Sequence, residues 1–169
     1  KRFTFVLTLA LMSFVFAQAQ QAKYVFYFIG DGMGVNQVLG TEMYQSELKG
    51  EIGVTPLLFT QFPYATVAHT YSAVNGVTDS AAGGTALACG VKTNNGMLGM
   101  NADSVPVQSI MQELRQSGLA TGEVASCRIT HATPAAFYAH QINRGMDAEI
   151  LSDLYKYGPD VFVAGGNKL

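Results

Sequence analysis

Continuous apolar runs alternate with helically spaced ones along this chain. Tyr24–Ile29 is an unbroken apolar, aromatic and β-rich run, the pattern of a central parallel strand covered on both faces, and it stops abruptly at Gly30-Asp31-Gly32. A helix is predicted from Asn36 to Leu48, then a Pro-punctuated loop and a strand from about Ala65 to Tyr71. Val107, Ile110, Met111 and Leu114 fall at helical spacing, with Ser104 as the expected cap and Gly118 as the stop. A strand at Gly122–Cys127 follows, and Pro134 can begin a helix that carries His140 and ends near Asn143-Arg144. A further helix from Asp147 to Tyr157 leads to a strand at Val161–Ala164. Strands alternating with helices imply an α/β fold with a mostly parallel sheet and helices on both faces.

The stretch Val77–Gly90 carries the chemistry that the periodicity does not explain. It places one hydroxyl, Ser80, at the start of a helix built from Ala81, Ala82, Gly83, Gly84 and other small residues. A helix start directs unpaired N–H groups and partial positive charge at whatever precedes it, which suits an anion such as phosphate. Asp79 can cap that start. Alone, the segment reads first as an ordinary capped helix packed tightly through its small residues.

Composition narrows the class. With 49% apolar and 13% charged residues, the 169-residue chain is one domain's worth of core-forming sequence, not a disordered tail. Setting aside Lys1 and Arg2 leaves 8 of the 10 basic residues against 12 acidic ones, a balance of −4. No basic run points to nucleic acid, so positive charge at a site would have to come from bound metals. Lys1-Arg2, the apolar run Phe3–Phe16 and Ala17-Gln18-Ala19 have the parts of a secretory signal, with cleavage expected after Ala19. The run is shorter than the roughly 20 residues a spanning helix needs. Residues 20–169 are thus expected to be exported, periplasmic or extracellular, with no membrane segment. Cys89 and Cys127 lie in apolar runs without a second ligand at zinc-site spacing and are expected to be free thiols.

Four motifs in order, Asp31-Gly32-Met33-Gly34, Thr78-Asp79-Ser80-Ala81-Ala82, Gly90-Val91-Lys92-Thr93-Asn94-Asn95-Gly96 and Thr130-His131-Ala132-Thr133-Pro134-Ala135-Ala136, resemble the alkaline phosphatase family over nearly all of the chain after the leader. The resemblance implies hydrolysis of phosphate monoesters through a covalent phosphoserine at a site with two zinc ions and one magnesium. It places Asp31 as a bridge between zinc and magnesium, Ser80 as the nucleophile and a zinc ligand, and Thr133 as a magnesium ligand. Arg144 grips the phosphate, and Asp79 orients Arg144. A guanidinium holds two phosphate oxygens at once and stays charged at alkaline pH. Without the resemblance, Arg144 would read as a solvated cation at a helix end. His131 departs from the best-known bacterial pattern, which has Asp there, and matches the branch that has His. Imidazole suits zinc better than magnesium, so His131 is placed beside the metals without direct ligation. Lys92, His69 and His140 carry no assigned duty, and His140 is expected to pack or hydrogen-bond within the fold.

In the family most zinc ligands and the magnesium carboxylate lie in a second half that would fall beyond Leu169. The expectation is therefore the N-terminal part of a catalytic domain, truncated before its second half, inactive by itself and exposing a sheet edge. Full-length family members are often dimeric, which implies a homodimer for the full-length protein. Alternatives are a related metal-dependent phosphodiesterase or sulfatase, or a non-enzymatic exported domain if the chain ends at Leu169. An acyl hydrolase is disfavoured because Gly-x-Ser-x-Gly is absent.

Overall fold

The computed structural model describes residues 22–166, so the expected leader lies outside the described residues. The chain divides into two compact units, residues 1–30 and residues 31–169, and every candidate site residue belongs to the second.

In the second unit the order is α1 (Val35–Leu48), a 3-10 turn (Phe59–Gln61), α2 (Ser80–Cys89), α3 (Ile110–Gln116), β1 (Gly122–Arg128), α4 (Ala132–Ala135), α5 (Asp147–Tyr157) and β2 (Val161–Gly165). The fold is α/β with parallel pairing. β1 and β2 run side by side with Gly122 opposite Val161 and Ala125 opposite Ala164, and α4 and α5 both lie in the crossover between them. Burial alternates along β1: Glu123, Ala125 and Cys127 are partly covered while Val124 is 82% exposed.

Local signals set most helix ends. Asp79 caps α2 by accepting from the Ala82 N–H at 2.9 Å, and Gly90 ends it at φ +70°. α5 spans the residues its periodicity predicts, with Asp147 and Glu149 in the first turn and Lys156 in the last, matching the helix dipole.

Four expectations need correction. Tyr24–Ile29 is not part of a strand in the first unit, where Val25 and Phe28 are 80% and 88% exposed. Ala65–Tyr71 likewise joins no ladder in the second. An apolar run reports a capacity for burial, whereas a strand exists only where a partner supplies the ladder. The cap of α3 is Ser109, not Ser104. Ser104 sits in a turn at φ +61°, outside the extended region a cap needs, while Ser109 accepts from Gln112 N–H and its own N–H donates to Gln112 Oε1. The helix expected from Pro134 through His140 stops at Ala135, because the chain leaves it to pair Gln141 with Leu98 by two backbone hydrogen bonds.

The core lies beneath α2 and α4. Ala81, Leu98, Met111, Ile129, Ala132, Ala135, Tyr138 and Ile150 are buried together, and the Tyr138 hydroxyl donates to Ile129 O at 2.8 Å. Small residues let the two helices approach: a Cβ on Gly84 would sit 3.0 Å from Ala136 Cβ and 3.5 Å from Thr133 Cα. That contact fixes the Thr133 turn against the helix that starts at Ser80.

Candidate active site

Three hydroxyl and carboxylate groups distant in sequence meet at the start of α2. Ser80 Oγ donates to Asp31 Oδ2 at 2.9 Å, with Oδ1 at 3.2 Å, and Thr133 Oγ1 donates to the same Oδ2 at 2.9 Å. Asp31 lies in the Asp31-Gly32 turn, Ser80 is the first residue of α2, and Thr133 is the second residue of α4. Ser80 and Thr133 are half-buried and Asp31 is exposed.

A second cluster stands beside the first. Asp79 Oδ2 accepts from Arg144 Nη1 at 3.3 Å, and Asp79 Oδ1 caps α2, so one carboxylate ties the guanidinium to the helix that carries Ser80. Arg144 Nη2 donates to His131 Nε2 at 3.3 Å. This leaves the proton of a neutral imidazole on Nδ1, which is buried and has no hydrogen-bond partner among the described residues. Burial, then the charges of Arg144 and Arg128, hold His131 below the usual histidine range, against the opposing pull of Asp31 and Asp147. His131 is therefore a neutral group next to a permanently charged one.

Sequence reasoning named the residues of both clusters, and the fold brings all six together: Asp31, Asp79, Ser80, His131, Thr133 and Arg144. It gave no role to two other features. Arg128 donates to Thr130 Oγ1 at 3.0 Å and pairs with Asp147 at 3.3 Å, bracing the turn that presents His131 and Thr133. Gly96 touches both Asp79 and Arg144. Its signal in the sequence was the Asn94-Asn95-Gly96 turn within a quoted motif. The residues set aside have structural partners. His140 Nδ1 lies 2.8 Å from Gly99 O and its Nε2 3.0 Å from Gln112 Nε2, and the ring meets Tyr157 edge-on. Lys92 donates to Tyr71 O, with its ammonium over the Tyr71 ring, and His69 is exposed. Cys89 and Cys127 are free.

Asp31, Ser80 and Thr133 present an all-oxygen donor set that fits a hard cation. Structural or catalytic zinc draws on nitrogen or sulfur and carboxylate ligands, and no cluster of three or more His, Cys, Asp or Glu side chains suited to a metal occurs among the described residues. The residues present thus fit part of a metal site, its oxygen-rich side.

The alkaline phosphatase family model matches residues 22–156. The chain is 40% identical over 134 residues to the tissue-nonspecific alkaline phosphatase of Gallus gallus, covering 73% of this chain and 26% of that protein. Among solved structures, the alkaline phosphatase of the Antarctic bacterium TAB5 superposes with a TM-score of 0.74 at 40% identity, covering 82% of this chain and 38% of that one. A TAB5 variant with a His-to-Asp substitution, with Mg bound in its M3 site, matches with the same score, identity and coverage. The chain thus spans about a quarter of the length of this curated relative. With the family model matching over most of its length and the motif residues gathered in one place, the chain belongs to the alkaline phosphatase family.

Proposed function

We propose that the full-length gene product hydrolyses phosphate monoesters through a phosphoserine on Ser80, and that this chain carries the nucleophile and the phosphate clamp. The observation that carries the reading is the placement of Ser80 Oγ at the start of α2, hydrogen-bonded to Asp31, with Arg144 tethered through Asp79 to the same helix. Family membership supports the reaction class.

Each group has a task that follows from its chemistry. The hydrogen bond to Asp31 aims the Ser80 oxygen and offers its proton an acceptor 2.9 Å away. Arg144 receives two non-bridging oxygens of the phosphoryl group, and the α2 start faces the same charge. The Ser80 Oγ–phosphorus bond forms as the bond from phosphorus to the ester oxygen breaks, and the alcohol leaves with a proton. Water oxygen then bonds to phosphorus, the Oγ–phosphorus bond breaks, Ser80 regains its proton and inorganic phosphate departs. His131, neutral beside Arg144, adds no charge that would compete with the guanidinium for phosphate.

Two zinc ions and one magnesium would supply the positive charge that activates the nucleophile and steadies the leaving oxygen. Asp31, Ser80 and Thr133 would hold their share of those ions. Three ligand residues shared among three metal ions fall short of the four ligands each zinc needs and the six of magnesium, so the remaining ligands would come from outside the described residues, and residues 20–169 alone should be inactive. The Mg-bearing TAB5 variant supports magnesium in this family of sites. Export and a homodimer belong to the same reading of the full-length protein. Among the described residues no helix is long and apolar enough to cross a membrane.

Trapping the full-length protein with a phosphorus-labelled monoester tests the proposal. Label should remain on the protein after acid quench and vanish in Ser80→Ala. Labelled Ser80→Ala protein, or diester turnover exceeding monoester turnover, would defeat it.

A further inference from the structure

The motif loop Gly90–Gly99 stays outside the mechanism above, yet it meets both partners of the phosphate clamp. Gly96 N–H donates to Asp79 Oδ2 at 3.0 Å, the same oxygen that accepts from Arg144 Nη1. Gly96 O accepts from the Arg144 backbone N–H at 2.7 Å. One residue therefore reaches the side-chain end of the Asp79–Arg144 pair through its N–H and the main chain of Arg144 through its carbonyl. The loop is itself anchored on both flanks. Asn95 Nδ2 donates to Val77 O at 3.0 Å, ahead of α2, and Leu98 exchanges two backbone hydrogen bonds with Gln141, three residues before Arg144.

Gly96 holds this position at φ +89°, a conformation that costs side-chain-bearing residues free energy. Nothing lies within 4 Å of where its Cβ would be. The glycine is thus required by backbone direction and not by space, and the direction is what aims its N–H and C=O at Asp79 and Arg144.

We propose that Gly96 is a positioning residue for phosphate binding, presetting the Arg144 guanidinium before the substrate phosphoryl group arrives. This rests on the phosphatase reading of the same site. An arginine carries large rotamer freedom, and fixing it in advance lowers the cost of binding. A loop that shares Asp79 Oδ2 with the guanidinium and holds the arginine main chain fixes both ends of that side chain.

The test is a double-mutant cycle in the full-length, metal-loaded protein, read as KM for a monoester and as inhibition by inorganic phosphate. Gly96→Ala should weaken both by roughly 2- to 10-fold, the range of one part-buried hydrogen bond. Gly96→Asn, which accepts positive φ more readily, should recover most of that loss. In an Arg144→Ala background, Gly96→Ala should add nothing, because the group it positions is gone. Equal losses with and without Arg144 would overturn the proposal, as would unchanged phosphate inhibition in Gly96→Ala. If Gly96→Ala does not fold, Gly96→Ser enters the same cycle with the same criteria. A wild-type protein that neither hydrolyses monoesters nor binds phosphate would instead overturn the phosphatase reading. An active wild type weakened by Arg144→Ala but not by Gly96→Ala would overturn this inference alone.

Discussion

Asp79 and Arg144, 65 positions apart, meet at 3.3 Å through a carboxylate whose other oxygen caps the helix that begins with Ser80. Both side chains are about 30% exposed, so the ion pair itself contributes modestly to stability and its value is directional. The cap and the clamp can be separated by substitution. Asn caps a helix as well as Asp does, so Asp79→Asn should leave stability within about 0.5 kcal/mol while losing the charge that holds Arg144. Asp79→Ala should lose about 1 kcal/mol of stability as well. Urea denaturation of both variants, set beside phosphate inhibition in the full-length protein, checks this; an Asp79→Asn variant with unaltered phosphate inhibition would show that the pair does not orient Arg144.

Gly84 of α2 packs tightly against Thr133 of α4 and Ala136 at its end. A valine there must drive its Cβ against Ala136 Cβ at 3.0 Å, with Thr133 Cα close behind. Overpacking of this kind costs about 1–3 kcal/mol. Gly84→Val should lower the unfolding free energy read from urea melts by that amount and move Thr133 away from Asp31. Alanine has less to accommodate and gains up to about 1 kcal/mol of helix propensity, so Gly84→Ala should lose less than valine does.

Glu123 is a carboxyl on the covered face of β1, with one buried oxygen that has no hydrogen-bond partner among the described residues. Burial pushes it up to about 8 from an ordinary value of 4.5. Between these values the unfolded chain has released the proton that the folded chain still holds. Fewer protons bound in the unfolded state means that stability falls as pH rises, by at most about 1.4 kcal/mol per pH unit, and levels off above about pH 8. Glu123→Gln, which cannot ionise, should flatten that slope. Urea melts at pH 5, 7 and 9 would show it, and parallel wild-type and variant curves would rule out the buried acid.

Cys89 sits half-buried at the end of α2, and burial followed by the charge of Glu113 raises its thiol to about 11. The thiolate is the reactive form. At pH 8 the folded chain should label at Cys89 at least tenfold more slowly than the urea-unfolded chain, by mass-resolved alkylation. Equal rates would mean that the end of α2 is open.

What the sequence by itself determined was local. Asp79 reaches Ala82 three residues on, and Asp147–Tyr157 carries its own periodicity and charge order, so the cap of α2 and both ends of α5 were legible without a fold. Gly122–Cys127 and Val161–Ala164 were legible as strands, each one residue short of its observed end. The residue types of the site were legible too, through four motifs whose order resembles one family. The tertiary structure decided everything that depends on a partner far along the chain. Tyr24–Ile29 has the composition of a strand and joins none among the described residues, because pairing is a property of two segments. Ser104 and Ser109 are the same residue type five positions apart, and the bridge between Met100 and Pro106 draws the first into a turn while the second is free to cap α3. Thr133 and Asp31 are separated by 102 positions and Ser80 and Asp31 by 49, distances over which no periodicity carries information. The close contact of α2 with α4 at Gly84 sets Ser80 and Thr133 near each other, and the fold brings Asp31 to both hydroxyls. The role of Gly96 was hidden for the same reason: a glycine in an Asn-Gly turn reads as a turn, and its two hydrogen bonds to the clamp exist only once Asp79 and Arg144 have been folded to either side of it.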